Sequence, residues 1–157
     1  MNRAEAILEI VARHPDAAIV FSNGLTSREA AHVADRPGNL YLLHGMGEAL
    51  SVGVGLRLAR PELEVVVVDG DGNALMGLAG WSFLPVAGLH YYVLENGTYE
   101  TTGAQPVAAL RVDAEGVRRV PIEAGTSKAP LPPAPEGIRE RFQAWLERTA
   151  SEVQWTQ

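Results

Sequence analysis

Val65-Val66-Val67-Val68-Asp69-Gly70-Asp71-Gly72-Asn73 runs from an unbroken β-branched segment into a carboxylate flanked by two glycines. Four consecutive valines read as a strand buried on both faces, as in a parallel sheet. The carboxyl end of such a strand is where open α/β sheets bind ligands. Glycines there let the backbone approach a phosphate closely, and the helix that follows offers N–H groups to an anion. A second strand over Leu89–Glu95 delivers Asn96 to the same edge, 25 residues after Asp71. One carboxylate, one amide oxygen and a nearby backbone carbonyl form a hard-oxygen donor set. Mg²⁺ takes such a set, with phosphate and water filling its octahedron. Taken alone, Asp71 reads equally well as a turn aspartate capping the next helix, and Asn96-Gly97 as a turn pair.

Working outward, Ala4, Ile7, Leu8 and Val11 lie at helical spacing and predict an amphipathic helix over residues 3–13. Residues 17–21 read as a buried strand. Asn23-Gly24 turns the chain, and Thr26 or Ser27 is placed to cap a helix reaching Asp35. A connector at 36–39 leads to a strand over 40–43. Residues 47–60 are rich in Gly and Ala but carry Leu50, Val54 and Leu58, which predicts a helix packed close to the sheet and ended by Pro61. A helix over 74–84 leads away from Gly-Asp-Gly. Residues 96–110 read as a loop, 117–122 as a weaker strand and 129–135 as an extended Pro-rich linker. A last helix over 136–149 carries Ile138, Phe142, Trp145 and Leu146 on one face, predicted to pack on this domain. Strands alternating with helices imply one α/β domain spanning 1–157: a doubly wound parallel sheet flanked by helices.

Bulk properties agree. The chain has 157 residues, 46% hydrophobic and 20% charged, enough for one domain with a substantial core. A net charge of -6 without a basic run argues against nucleic acid. The absence of cysteine excludes disulfides and cysteine-ligated iron–sulfur clusters in this chain. No apolar stretch is long enough to span a membrane and the start reads as helix rather than leader, so a soluble cytoplasmic protein is the expectation. A nicotinamide fingerprint is missing: Gly45-Met46-Gly47 and Gly53-Val54-Gly55 reach Leu50 and Leu58 where a third small residue is required. No Gly-Lys-Ser/Thr occurs, which excludes a P-loop.

Gly70-Asp71-Gly72 with Asn96 downstream resembles the diphosphate-binding domain of thiamine diphosphate (ThDP) enzymes. Ser22-Asn23-Gly24-Leu25-Thr26-Ser27-Arg28-Glu29, His44-Gly45-Met46-Gly47 and Thr102-Gly103-Ala104-Gln105-Pro106 resemble the sulfopyruvate and phosphonopyruvate decarboxylase branch of that family. The resemblance implies that Asp71, Asn96 and the backbone carbonyl of Thr98 hold Mg²⁺. It also implies that Gly70, Gly72 and Asn73 face the diphosphate, although Asn73 reads equally as a helix cap. Met46 matches the residue that wedges between the two cofactor rings, the alternative being a core methionine. The carbonyl of His44 matches the acceptor for the cofactor's 4′-amino group, with Gly45 between them. Tyr99, Thr102 and Gln105 follow the metal ligands on a loop that covers the cofactor or merely packs on itself. His44 departs from the small residue expected there, so its ring is a candidate for proton transfer beside the reading in which its backbone alone matters. Glu48 departs as well, and an acid there disfavours a doubly charged phosphonate or sulfonate substrate. Ala104 stands where a second glycine is expected. His14, His32 and His90 show no partner pattern and read as structural or exposed.

The resemblance further implies an activating glutamate supplied by a pyrimidine-binding domain, usually of another chain. A second α/β domain needs some 150 further residues, of the order of a typical domain. The expectation is therefore a split enzyme. This chain is its diphosphate- and Mg²⁺-binding subunit, and a pyrimidine-binding subunit completes an α₂β₂ or larger hetero-oligomer acting on a small 2-oxo acid. Apolar surface on helices 47–60 and 74–84 is expected to meet that partner. Carboligation, 2-oxo acid oxidoreduction and a non-catalytic ThDP-binding or scaffolding module are the alternatives.

Overall fold

A computed structural model describes residues 1–108 and 114–154. Five strands form one parallel sheet: β1 (Ala18–Phe21), β2 (Asn39–Tyr41), β3 (Val65–Gly70), β4 (Leu89–Glu95) and, after a short hairpin, β7 (Val117–Pro121). Their order is β2-β1-β3-β4-β7, with every neighbouring pair parallel. The hairpin pairs β5 (Thr98–Tyr99) with β6 (Gln105–Pro106), antiparallel, inside the segment expected to be loop. Residues 109 and 110 of that expected loop lie outside the described residues.

β3 is central, and Val65, Val66, Val67 and Val68 are fully buried. Because strand side chains alternate between faces, one run of residues builds two cores. Ala18, Val20, Val65, Val67, Tyr91 and Val93 pack with Ala49, Leu50 and Val54 of α3 (Ala49–Ala59). Ile19, Phe21, Val66, Val68, Tyr92 and Leu94 pack with Ala6, Ile7 and Ile10 of α1 (Arg3–Arg13) and Ala30 of α2 (Leu25–Val33). The last helix, α5 (Pro135–Gln154), gives Phe142 to the first core and Ile138 to the second, so it closes the sheet at its β2 edge.

Two sequence expectations are corrected. The helix expected over 74–84 begins at Asp71 as α4 (Asp71–Met76) and breaks at Gly77 into a 3₁₀ turn, Leu78–Phe83. Neither Thr26 nor Ser27 caps α2: Gly24 is the N-cap, at φ 84°, with no side-chain cap. The Ser27 hydroxyl instead donates back to the carbonyls of Phe21 and Ser22 (3.1 and 2.8 Å), tying α2 to β1. The 129–135 segment is extended but held to the domain, since the Arg28 guanidinium donates to the Ala129 carbonyl at 2.6 Å.

Candidate functional site

The chain leaves β1 toward β2 on one side and returns to β3 on the other, so the order of strand addition reverses between β1 and β3. Ligand crevices form at such a switch point. A cleft opens there, lined by Asn23 and Gly24 after β1, by Gly70, Asp71, Gly72 and Asn73 after β3, and by Asn96, Thr98 and Tyr99 after β4. Met46 and Met76 stand at its rim, 66% and 54% exposed.

Asp71 is buried, and each of its oxygens accepts one backbone N–H: Gly72 on Oδ1 at 2.8 Å and Gly97 on Oδ2 at 2.7 Å. A carboxylate has about four acceptor positions, so half remain for a cation. Burial pushes the Asp71 carboxyl up from its ordinary range, the Gly97 and Gly72 amides pull it down, and the Glu95 charge adds to the rise. Asn96 Oδ1 accepts the Thr98 N–H at 2.9 Å and keeps its second lone pair. The turn and the ligand readings of Asn96 are therefore compatible.

Asn73 takes a part that neither sequence reading gave it. Its Nδ2 donates to Asp69 Oδ1 at 2.6 Å, and its Oδ1 accepts the Gly47 N–H at 2.8 Å. It caps nothing, and its amide is committed, which leaves its backbone N–H for an anion. The bond to Gly47 fixes the turn carrying Met46. Gly45 and Gly47, at φ 77° and 84°, sit either side of Met46 in the left-handed region that favours glycine. Gly47 also abuts Gly77 so closely that a Cβ on Gly77 would lie 2.1 Å from the Gly47 carbonyl oxygen. Tyr99 lies over Gly72, where a Cβ would meet its ring at 2.5 Å.

His44 is exposed and lines a different groove, between the end of β2 and α5, with Leu42, Ile138 and Phe142. Gly45 and Glu48 are exposed and do not line the cleft. Thr102 and Gln105 hydrogen-bond each other (3.0 Å between Thr102 Oγ1 and Gln105 Oε1) and stand outside the cleft, which is loop packing. Ala104 occupies φ 58°, the reason a glycine suits that position.

Sequence reading missed three features. Asp69, 1% exposed, anchors Asn73. Arg3 and Glu100, which pair with each other, line the cleft although 97 residues apart. Asn23 contributes a buried Oδ1 with no hydrogen-bond partner among the described residues, as does the Thr98 hydroxyl. The sequence pattern gives Asp69 no role beyond following the valine strand, and nothing in it connects Arg3 with Glu100.

Buried polar atoms left unpaired in a glycine-floored cleft call for a polar occupant. An α/β sheet with hard-oxygen donors at its switch point defines a domain that binds a phosphorylated cofactor. The chain belongs to the family described as thiamine pyrophosphate enzyme, C-terminal TPP binding domain, which residues 22–125 match. Among relatives, phosphonopyruvate decarboxylase of Streptomyces viridochromogenes is 38% identical over 123 residues, 74% of this chain and 30% of that one. Sulfopyruvate decarboxylase subunit beta of Methanothermobacter thermautotrophicus is 38% identical over 116 residues, 72% of this chain and 62% of that one. The chain thus spans less than two thirds of either relative. A solved structure, 2-oxoglutarate:ferredoxin oxidoreductase from Magnetococcus marinus, matches with a TM-score of 0.54 and 27% identity over 66% of this chain and 38% of that one. Among the described residues no helix is long and apolar enough to cross a membrane.

Proposed function

We propose that this chain is the diphosphate- and Mg²⁺-binding subunit of a split ThDP-dependent decarboxylase acting on a small acidic 2-oxo acid of the sulfopyruvate or phosphonopyruvate class. The observation that carries the reading is the convergence of Asp71, Asn96 and two unpaired buried polar atoms, on Asn23 and Thr98, at one switch-point cleft. When bound, ThDP supplies the nucleophilic carbon and the electron sink for loss of CO₂.

The chain's own residues bind and orient. Asp71, Asn96 and the Thr98 carbonyl hold Mg²⁺, and the backbone of Gly70, Gly72 and Asn73 faces the diphosphate. Met46, fixed by Asn73 and the Gly47–Gly77 contact, stands at the rim to bend the cofactor. The His44 carbonyl would accept a hydrogen bond from the 4′-amino group, while its exposed side chain, in the groove beside α5, takes no part. Tyr99 roofs the glycine turn and excludes water. A partner chain supplies the activating glutamate, and Met46, Met76 and Phe83, each more than half exposed, offer apolar surface to it.

The test is calorimetric titration of ThDP into the chain with Mg²⁺. Binding is expected to vanish with chelator or in Asp71→Ala, while the variant keeps the native circular dichroism. Undiminished binding by Asp71→Ala removes the metal assignment.

A further inference from the structure

We infer that the molecule carries a second cation site, for a borderline divalent transition ion such as Zn²⁺, at the end of the sheet opposite the cofactor cleft. Its ligands are His14, Glu64 and His90, whose donor atoms lie within 4.8 Å of one another. Glu64 Oε1 stands 2.8 Å from His14 Nδ1 and 2.9 Å from His90 Nε2, and the two imidazole centroids are 4.7 Å apart.

Three elements bring these residues together. His14 is the C-cap of α1, Glu64 immediately precedes β3, and His90 is the second residue of β4, paired in register with Val66. The group therefore lies at the amino ends of the strands. The length of β3 puts it roughly 20 Å from Asp71, at about 3.3 Å per residue.

Tetrahedral zinc with bonds near 2.1 Å places its donors about 3.4 Å apart. Opening the two Glu64 contacts by about half an ångström reaches that spacing, and the Glu64 and His90 side chains, 41% and 29% exposed, are open to solvent. Two imidazoles with one carboxylate suit zinc, whereas the oxygen set at Asp71 suits Mg²⁺. The outer support of a metal-bound histidine is also present. His14 Nε2 lies 2.9 Å from the Tyr92 hydroxyl, which accepts a hydrogen bond from Arg118 at 2.6 Å, so the ring is oriented from behind with Nδ1 turned to the site. With three protein ligands, a fourth position stays open to water. A bound ion staples the end of α1 to the starts of β3 and β4.

Elemental analysis and Co²⁺ absorption on the metal-stripped full chain, in buffer containing Mg²⁺, test the site. The expectation is one Zn²⁺ retained per chain when the stripped chain is reloaded with Zn²⁺ and desalted, and a tetrahedral Co²⁺ spectrum that Zn²⁺ abolishes. His90→Ala and Glu64→Gln, both at partly exposed positions, should each weaken binding more than tenfold, and Tyr92→Phe about tenfold to a hundredfold. Asp71→Asn should leave it intact. The inference fails if no stoichiometric zinc is retained, if the His90 and Glu64 variants bind as well as the parent, or if Asp71→Asn removes the ion.

Discussion

Asp69 shows how one enclosed carboxylate sets the geometry of a neighbouring site. It accepts hydrogen bonds from Tyr91 (3.0 Å), Asn73 (2.6 Å) and the Gly70 N–H (2.9 Å) while remaining 1% exposed. Burial pushes its carboxyl up to about 6, against the downward pull of those donors. Between its unfolded value near 4 and that folded value, the native state holds more protons than the unfolded state, so stability falls as pH rises through this window. Asp69→Asn lacks the titration. Urea unfolding in chelator at pH 4 to 7 should therefore show the parent losing about 2 kcal/mol relative to Asp69→Asn. A difference constant with pH would mean that burial does not destabilise the ionised form. At this scale the meeting of Asp71 and Asn96 in one cleft was legible, because their spacing sets them at the carboxyl ends of two neighbouring strands. Asp69 was not, since hydrophobic pattern marks a strand's end without saying which way its last side chain turns. The same holds for His14 and His90, whose link runs through Glu64 and spans 76 residues of chain.

At the Met46 turn two elements meet through backbone, Gly47 against Gly77. β4 runs over Leu89–Glu95 as the sequence reading expects, and β3 follows from its valines. The expected helix after Gly-Asp-Gly failed because its apolar pattern continues past Gly77, where the chain must break to let the Gly47 carbonyl approach. That requirement is tertiary and leaves no periodicity. Gly77→Ala would set a Cβ 2.1 Å from the Gly47 oxygen, with backbone on both sides unable to yield. The expected outcome is a stability loss of about 1–3 kcal/mol by thermal melt, with weakened ThDP binding as the Met46 turn loses its seat. Gly55→Ala in α3 is the matched control, because nothing lies within 4 Å of its added methyl. Helix propensity should make that change neutral or stabilising by up to about 1 kcal/mol. Equal melting of the two variants would show that the Gly47–Gly77 contact is not what holds the turn.

At the scale of the molecule, the cleft is polar within and apolar at its mouth. Asp71, Asn96 and the glycine turn form the floor, yet Met46 and Met76 project from the rim into solvent, and Phe83, further along the same segment, is 57% exposed. Large apolar side chains at the mouth of a polar cleft are better explained by a covering surface than by solubility. The α3 side offers less than the sequence suggested, since Leu58 is exposed but Leu50 and Val54 are buried against the sheet. The covering partner should therefore dock on the Met46–Met76 rim. Co-expression with a chain carrying a pyrimidine-binding domain should yield a hetero-oligomer that retains ThDP through gel filtration and releases CO₂ from sulfopyruvate or phosphonopyruvate. Met76→Lys, at an exposed position, should leave the isolated chain folded but weaken assembly at least tenfold, because a charge would be buried at the centre of an apolar contact. Assembly unaffected by Met76→Lys would move the interface off this rim, and full turnover by the isolated chain would remove the need for a partner altogether.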